Sequence, residues 1–365
     1  MPNLWKLDSL KPCTEIVLAG ETMPALFWNG VAQRGPKVFL RQKELGLWRE
    51  WSWAQTGEAV REIAHGLMSL GFAAGECASI LANTRVEWML ADLAILSCGG
   101  VSNGIYPTDS AAQAHYLCED SRTSVLFVED EEQLDKALEV REMLPRLRKI
   151  VVMDMKGLRD FADAGVIDLM ALRELGRVHA QAHPGALEAR VAAVQPQDLA
   201  ILVYTSGTTG RPKGAMHSHA GLVYTVRGYN LIVAQYESDE RICFLPLCHI
   251  AERIGGAFFA VYTGSKLNFV ERPETVPENV REIAPTVFTA VPRVWEKLYS
   301  GVTIALKDSS KLQQAAYAWG IAVGTRIADR MLAGQPVSAW LKLQFTLARW
   351  IALDNVRKLI GVHRA

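Results

Sequence analysis

At 365 residues, half of them apolar and 21% charged, the chain can bury one large core or two to three smaller ones. Lys plus Arg (39) equals Asp plus Glu (39), so no overall field favours nucleic acid or an anionic surface, and any polyanion must be gripped locally. Cys13, Cys77, Cys98, Cys118, Cys243 and Cys248 are scattered without a CxxC pair, which points to buried free thiols in a reducing cytosol.

The opening stretch to residue 50 reads as irregular and aromatic-rich, running into Trp48, Trp51 and Trp53. From Thr56, the placing of Val60, Ile63, Ala64 and Leu67 on one face predicts a helix that Gly71 stops. A short buried strand over 77–81 follows, then a helix over 85–96 with a wide apolar face. Gly99-Gly100 turns the chain into an extended run over 101–105, ahead of Tyr106-Pro107. Helices over 111–118 and 131–141 then alternate with strands over 124–128 and 149–153. Short apolar strands separated by helices mark a parallel sheet with helices on its faces. Residues 155–196 are more polar and helical and read as a connection ending at Pro196.

A second alternating unit starts at Leu199. It holds a strand over 200–204, a Gly- and Thr-rich loop, a helix over about 220–233, and strands over 242–245, 266–269 and 286–290. From Ser309 the chain is helical, with Trp319, Trp340 and Trp350 interleaved with Arg and Lys. At helical spacing that stripe reads as core packing with solvated long side chains, and docking on a membrane surface is the secondary reading. No apolar run approaches the ~20 residues that span a bilayer, and Met1-Pro2-Asn3-Leu4-Trp5-Lys6 lacks the apolar core of a secretory leader. The expected location is cytoplasmic, with peripheral membrane contact left open. The expected fold class is α/β, two parallel-sheet subdomains with flanking helices. The first covers 1–196 with the N-terminal segment and connection, the second 197–308, and 309–365 is an incomplete helical segment.

The stretch that carries chemistry is Tyr204-Thr205-Ser206-Gly207-Thr208-Thr209-Gly210-Arg211-Pro212-Lys213-Gly214, directly after an apolar strand. Glycines let backbone N–H groups turn toward one point and let a ligand approach closely. Thr205, Ser206, Thr208 and Thr209 add hydroxyl donors, and Lys213 a full positive charge. Together they describe a cradle for a nucleotide's terminal phosphates; the competing reading is a flexible surface loop with one incidental lysine. The spacing is neither G-x-x-x-x-G-K-[ST], because Pro212 and Gly214 interrupt it, nor a G-x-G-x-x-G dinucleotide fingerprint.

The same stretch resembles the phosphate-loop signature of the adenylate-forming superfamily, which includes acyl-CoA synthetases, luciferases and peptide-synthetase adenylation domains. Phe244-Leu245-Pro246-Leu247-Cys248-His249-Ile250-Ala251-Glu252-Arg253 resembles the loop bordering the carboxylate and acyl pocket of long-chain acyl-CoA synthetases. Residues 285–297 resemble the strand and helix that follow it, and 83–88 and 104–108 extend the likeness across most of the chain. The resemblance implies two half-reactions. A carboxylate attacks the α-phosphate of ATP, leaving an acyl-AMP, and the thiol of coenzyme A then expels AMP. No protein nucleophile is needed, so catalysis would rest on positioning and charge.

On that resemblance, Thr205, Ser206, Gly207, Thr208, Thr209 and Gly210 would bind the β- and γ-phosphates, and Lys213 would offset the charge of departing pyrophosphate. His249 would sit where the carboxylate meets the α-phosphate, though a lone His also reads as a polar loop residue. Glu252 would border the substrate pocket, while Glu252 and Arg253 could pair with each other or hold the loop, a structural role favoured over a direct chemical one. Cys243, Cys248 and His249 have metal-ligating side chains, but a strand cysteine beside a loop cysteine explains them, and no metal ligand is assigned. His217 and His219 fit the alternating polarity of a helix start.

The family's cofactors would be ATP, Mg2+ and coenzyme A, its substrate a fatty acid, and no nucleic acid is expected as a partner. No YGxTE-like stretch, later TGD-like aspartate or C-terminal lid domain is present, so weak or absent turnover is expected of this chain alone, and a truncation. The expected function is activation of a fatty acid, long-chain in type, to acyl-AMP and acyl-CoA. An aryl- or short-chain-acid ligase and a catalytically inactive nucleotide-binding fragment stay open.

Overall fold

Alternation of side chains about a pleated sheet governs the architecture of the larger unit. The computed structural model describes residues 17–205 and 210–365. Its strands are β1 (Val38–Glu44), β2 (Leu47–Ser52), β3 (Cys77–Leu81), β4 (Val101–Ile105), β5 (Thr123–Val128), β6 (Lys149–Val152), β7 (Val166–Asp168), β8 (Leu199–Thr205), β9 (Lys213–Ser218), β10 (Glu240–Cys243) and β11 (Lys266–Phe269). Among the described residues the main sheet has seven strands in the order β7-β6-β5-β3-β4-β8-β9, parallel except for β9.

Successive residues of β5 and β6 feed two different cores. Val125, Phe127 and Val151 join the core beneath the helices Met23–Arg34, Trp53–Ser69 and Val86–Ser97. Leu126, Val128, Ile150 and Val152 join a core under the helices Ala111–Asp120 and Glu131–Val140. Every residue of β3, β4 and β5 is buried, and the polar side chains of Ser79, Asn103 and Thr123 among them hydrogen-bond to one another. Each fully buried Ile, Leu or Phe contributes about 1.5–3 kcal/mol. The α/β expectation, with parallel strands and helices on both faces, is met.

Three expectations about strands and boundaries need correction. The opening stretch is not irregular from residue 17 on, its first 16 residues lying outside the described ones: Met23–Arg34 is helical, β1 and β2 form an antiparallel hairpin, and β1 pairs in parallel with β11. Its alternating Arg, Gln, Lys and Glu lacked the apolar periodicity of a strand. The expected boundary at 197 does not divide the sheet, because β8 hydrogen-bonds in parallel with β4, Ser102 opposite Ile201. Backbone packing instead separates residues up to 238 together with 243–271 from a second unit, 239–242 with 272–365. The predicted strand over 286–290 reduces to one bridge, Arg241 with Val287.

The second unit is helical: Val276–Ile283, Pro292–Lys307, Lys311–Leu332, Ala339–Ala348 and Asp354–Leu359. Ser310 starts the longest of these with a capping box to Gln313. Trp340 and Trp350 are exposed (67% and 78%), so the stripe is not core packing as expected. Among the described residues no helix is long and apolar enough to cross a membrane.

Candidate functional site

Chain order across the main sheet reverses around β3: the chain steps from β3 to β4 on one side, then crosses to β5 on the other. Ligands of open α/β sheets bind outside the carboxyl ends of strands near such a reversal. A cavity of about 910 Å³ lies at the carboxyl ends of β4 and β8. Gly104, Tyr106, Asp109, His115, Tyr116, Tyr204, Thr205, Arg211 and His249 are among its lining residues.

A strand, β9, stands between the glycine-rich stretch and the helix expected to follow it. β8 pairs antiparallel with β9, setting Thr205 opposite Lys213 and Tyr204 opposite Gly214, and the helix His219–Ile232 begins only after β9. Thr205 and Lys213 are therefore neighbours across two strands, both exposed. Gly210 follows with φ 108°, the left-handed region open to glycine. Ser206, Gly207, Thr208 and Thr209 lie outside the described residues.

Two tyrosines hold the hairpin. Tyr116, on the helix Ala111–Asp120, donates its hydroxyl to the Pro212 carbonyl at 2.9 Å, and the Arg211 guanidinium stacks 5.1 Å from its ring centre. Tyr204 donates to Asp120 Oδ2 at 2.6 Å, and burial together with that carboxylate raises its phenol above the usual range. Sequence reasoning did not single out Tyr106, Tyr116 or Arg211 as site residues, although Arg211 stands inside the motif itself.

The opposite wall is the loop that carries His249. Thr84 brackets it: its hydroxyl donates to the Leu245 carbonyl at 2.7 Å and accepts from the Leu247 N–H at 3.1 Å. The loop backbone lies on β4, where a Cβ on Gly104 would come within 2.7 Å of Cys248 Cα, too close for any side chain. His249 is exposed at the cavity wall, and its Nδ1 accepts from the Ala251 N–H at 3.2 Å, capping the turn Ile250–Glu252. Burial lifts the Tyr106 phenol and the Cys248 thiol to about 12 and raises the Asp109 carboxyl.

Lys213, His249, Thr205 and Gly210 thus fall around one region, with Thr205 and His249 on the cavity wall itself. Glu252 does not join them. It is 5% exposed, its side chain folds over its own turn toward Gly256, and the cavity lining does not include it. Nor does Arg253 pair with Glu252 as one reading expected; its partner is Asp92, across the core. His217 lies within β9 rather than at a helix start. His219 is buried, accepts from the Met23 N–H through Nδ1 at 3.3 Å, and burial lowers its pKa to about 4. Cys77, Cys98, Cys118, Cys243 and Cys248 are free and buried, and Cys13 lies outside the described residues. Among the described residues, no group of three or more His, Cys, Asp or Glu could hold a metal.

The α/β sheet thus carries a hairpin with Arg211 and Lys213 at its carboxyl edge, beside a cavity of about 910 Å³. The chain belongs to the AMP-binding enzyme family, whose pattern matches residues 27–348. It is 29% identical over 351 residues to a long-chain-fatty-acid–CoA ligase of Xenopus laevis, covering 94% of this chain and 46% of that protein. A long-chain-fatty-acid–CoA ligase of Mycobacterium bovis is 34% identical over 258 residues, 70% of this chain and 41% of that one. The chain spans about half the length of the curated relatives it matches. Among solved structures, an anthranilate CoA ligase in complex with anthranoyl-AMP superposes with a TM-score of 0.63 at 25% identity, covering 73% of this chain and 49% of that one. A long-chain-fatty-acid–CoA ligase of Archaeoglobus fulgidus gives 0.61 at 17%, covering 73% and 50%, which bears on the fold alone.

Proposed function

We propose that this chain supplies the ATP-facing part of an acid–CoA ligase that activates a fatty acid, long-chain in type, first as acyl-AMP and then as acyl-CoA. The observation that carries the reading is the juxtaposition of Thr205 and Lys213 across the β8–β9 hairpin, beside a cavity walled by Arg211 and His249. In this reading the hydroxyls and backbone N–H groups of residues 205–210 hold the β- and γ-phosphates. Lys213 offsets charge on the leaving pyrophosphate, and His249 orients the carboxylate at the α-phosphate. ATP and coenzyme A are co-substrates, and magnesium would arrive with the nucleotide. The names of the matched relatives support the fatty-acid class, and the anthranilate ligase among the structural neighbours keeps an aryl acid as the alternative.

The test is acid-dependent exchange of labelled pyrophosphate into ATP by the chain, run across acids of two to eighteen carbons and anthranilate. The reading expects weak exchange that rises with acid length. Exchange greatest with anthranilate would replace the substrate class, and absence of both exchange and ATP binding would remove the reading altogether.

A further inference from the structure

Arg253 is fully buried, and so is its partner Asp92 (0% and 1% exposed). The guanidinium makes a two-pronged contact: Nε donates to Asp92 Oδ2 at 3.2 Å, and Nη2 to Asp92 Oδ1. Nη2 also reaches the Ser102 hydroxyl at 2.7 Å and the Ser102 carbonyl at 3.3 Å, both on β4. The rings of Trp88 and Phe258 flank the cation at 5.0 and 5.8 Å. Asp92 comes from the helix Val86–Ser97, which is otherwise almost wholly apolar and buried on all sides.

A dry ion pair is a weak source of stability, since apolar residues of similar volume would serve as well. What it supplies is register. A planar fork that must meet one carboxylate and one serine can do so from a single placement of its backbone. That backbone lies one turn after His249, and the Arg253 N–H donates to the His249 carbonyl at 3.1 Å. Arg253 also opens a π-helical stretch, Arg253–Phe258, a local widening common beside functional sites. Thr84 holds the front of the same loop and Arg253 the back, so His249 is presented from between two fixed points.

We infer that Arg253, locked by Asp92 and Ser102, is the positioning residue that sets His249 at the cavity wall. Its kinetic consequence rests on the adenylation reading above; its geometric consequence does not. Arg253→Lys keeps the charge and loses the fork. In the full chain it should lower the maximal rate of acid-dependent pyrophosphate exchange about 10- to 100-fold, the scale of an ångström-sized misplacement, with the KM for ATP within about twofold. In a His249→Ala background the same change should cause no further loss, whereas a merely structural role would cost the same factor in both backgrounds.

NMR of histidine side chains supplies the independent arm. The His249 ring signals should move in Arg253→Lys while those of His219, held separately by Met23, stay in place. Ser102→Ala should shift His249 in the same sense by less, and it carries the comparison should Arg253→Lys not fold. Equal losses in both backgrounds, or unmoved His249 signals, overturn the inference. Absence of both exchange and ATP binding in the parent chain would instead count against the adenylation reading, and the histidine signals would still decide the positioning.

Discussion

Lys213 stands exposed at the first position of β9, facing Thr205 on the neighbouring strand. An exposed side chain at a strand end contributes little to stability, so its removal isolates its charge. Lys213→Ala should slow pyrophosphate exchange roughly 100-fold or more, the scale for removing one preorganised donor to developing charge, with the melting temperature essentially unchanged. Equal exchange rates in variant and parent would rule the role out. His219 makes the opposite kind of prediction, one about stability. Its folded pKa of about 4 lies below the ordinary value near 6.5, so the unfolded chain binds its proton first. The stability His219 confers is present above pH ~6.5 and is lost as pH falls toward 4, about 3 kcal/mol over that window. His65, His179 and His217 are lowered too, chiefly by burial, and act in the same sense. Urea midpoints between pH 7 and 4.5 should fall steeply in the parent. They should fall less in His219→Asn, whose amide oxygen can still accept from Met23, and parallel slopes would contradict the assignment.

At the scale of elements, the hairpin and the helix Ala111–Asp120 that steadies it are joined through Tyr116 and Asp120. Tyr116→Phe keeps the ring under Arg211 but removes the hydroxyl that holds the Pro212 carbonyl. A hydrogen bond of that kind is worth about 1 kcal/mol. The KM for ATP should therefore rise about fivefold with the maximal rate maintained; an unchanged KM would show that the clasp does not shape the phosphate site. β9 was not legible beforehand for a physical reason. Lys213, Gly214, Ala215 and Met216 are poor strand formers on an exposed edge, and only pairing with β8 makes them a strand.

Across the larger unit, the helices Trp53–Ser69 and Leu169–Ala182 approach so closely that a Cβ on Gly176 would come within 1.8 Å of the Glu62 carbonyl oxygen. Backbone cannot yield as a side-chain tip can. Gly176→Ala should therefore destabilise the fold by roughly 2–3 kcal/mol, lowering the melting temperature by about 5–10 °C. A calorimetric scan indistinguishable from the parent would show that the helices part without penalty.

The sequence by itself determined the repeating strands and helices of the parallel sheet, because those segments are buried on both faces and their composition must say so. It carried the family motif as well, since glycine, hydroxyl and lysine at that spacing are read within eleven consecutive residues. Tertiary structure decided what depends on distant partners. It joined β8 to β4 across an expected boundary, and made a hairpin of polar residues near the start of the chain. It sent Arg253 to Asp92, 161 positions away, instead of to its neighbour Glu252. Glu252 and Arg253 are neighbours in one dimension and both are buried; only the fold shows that the guanidinium meets Asp92, the carboxylate partner a charge needs in a dry core.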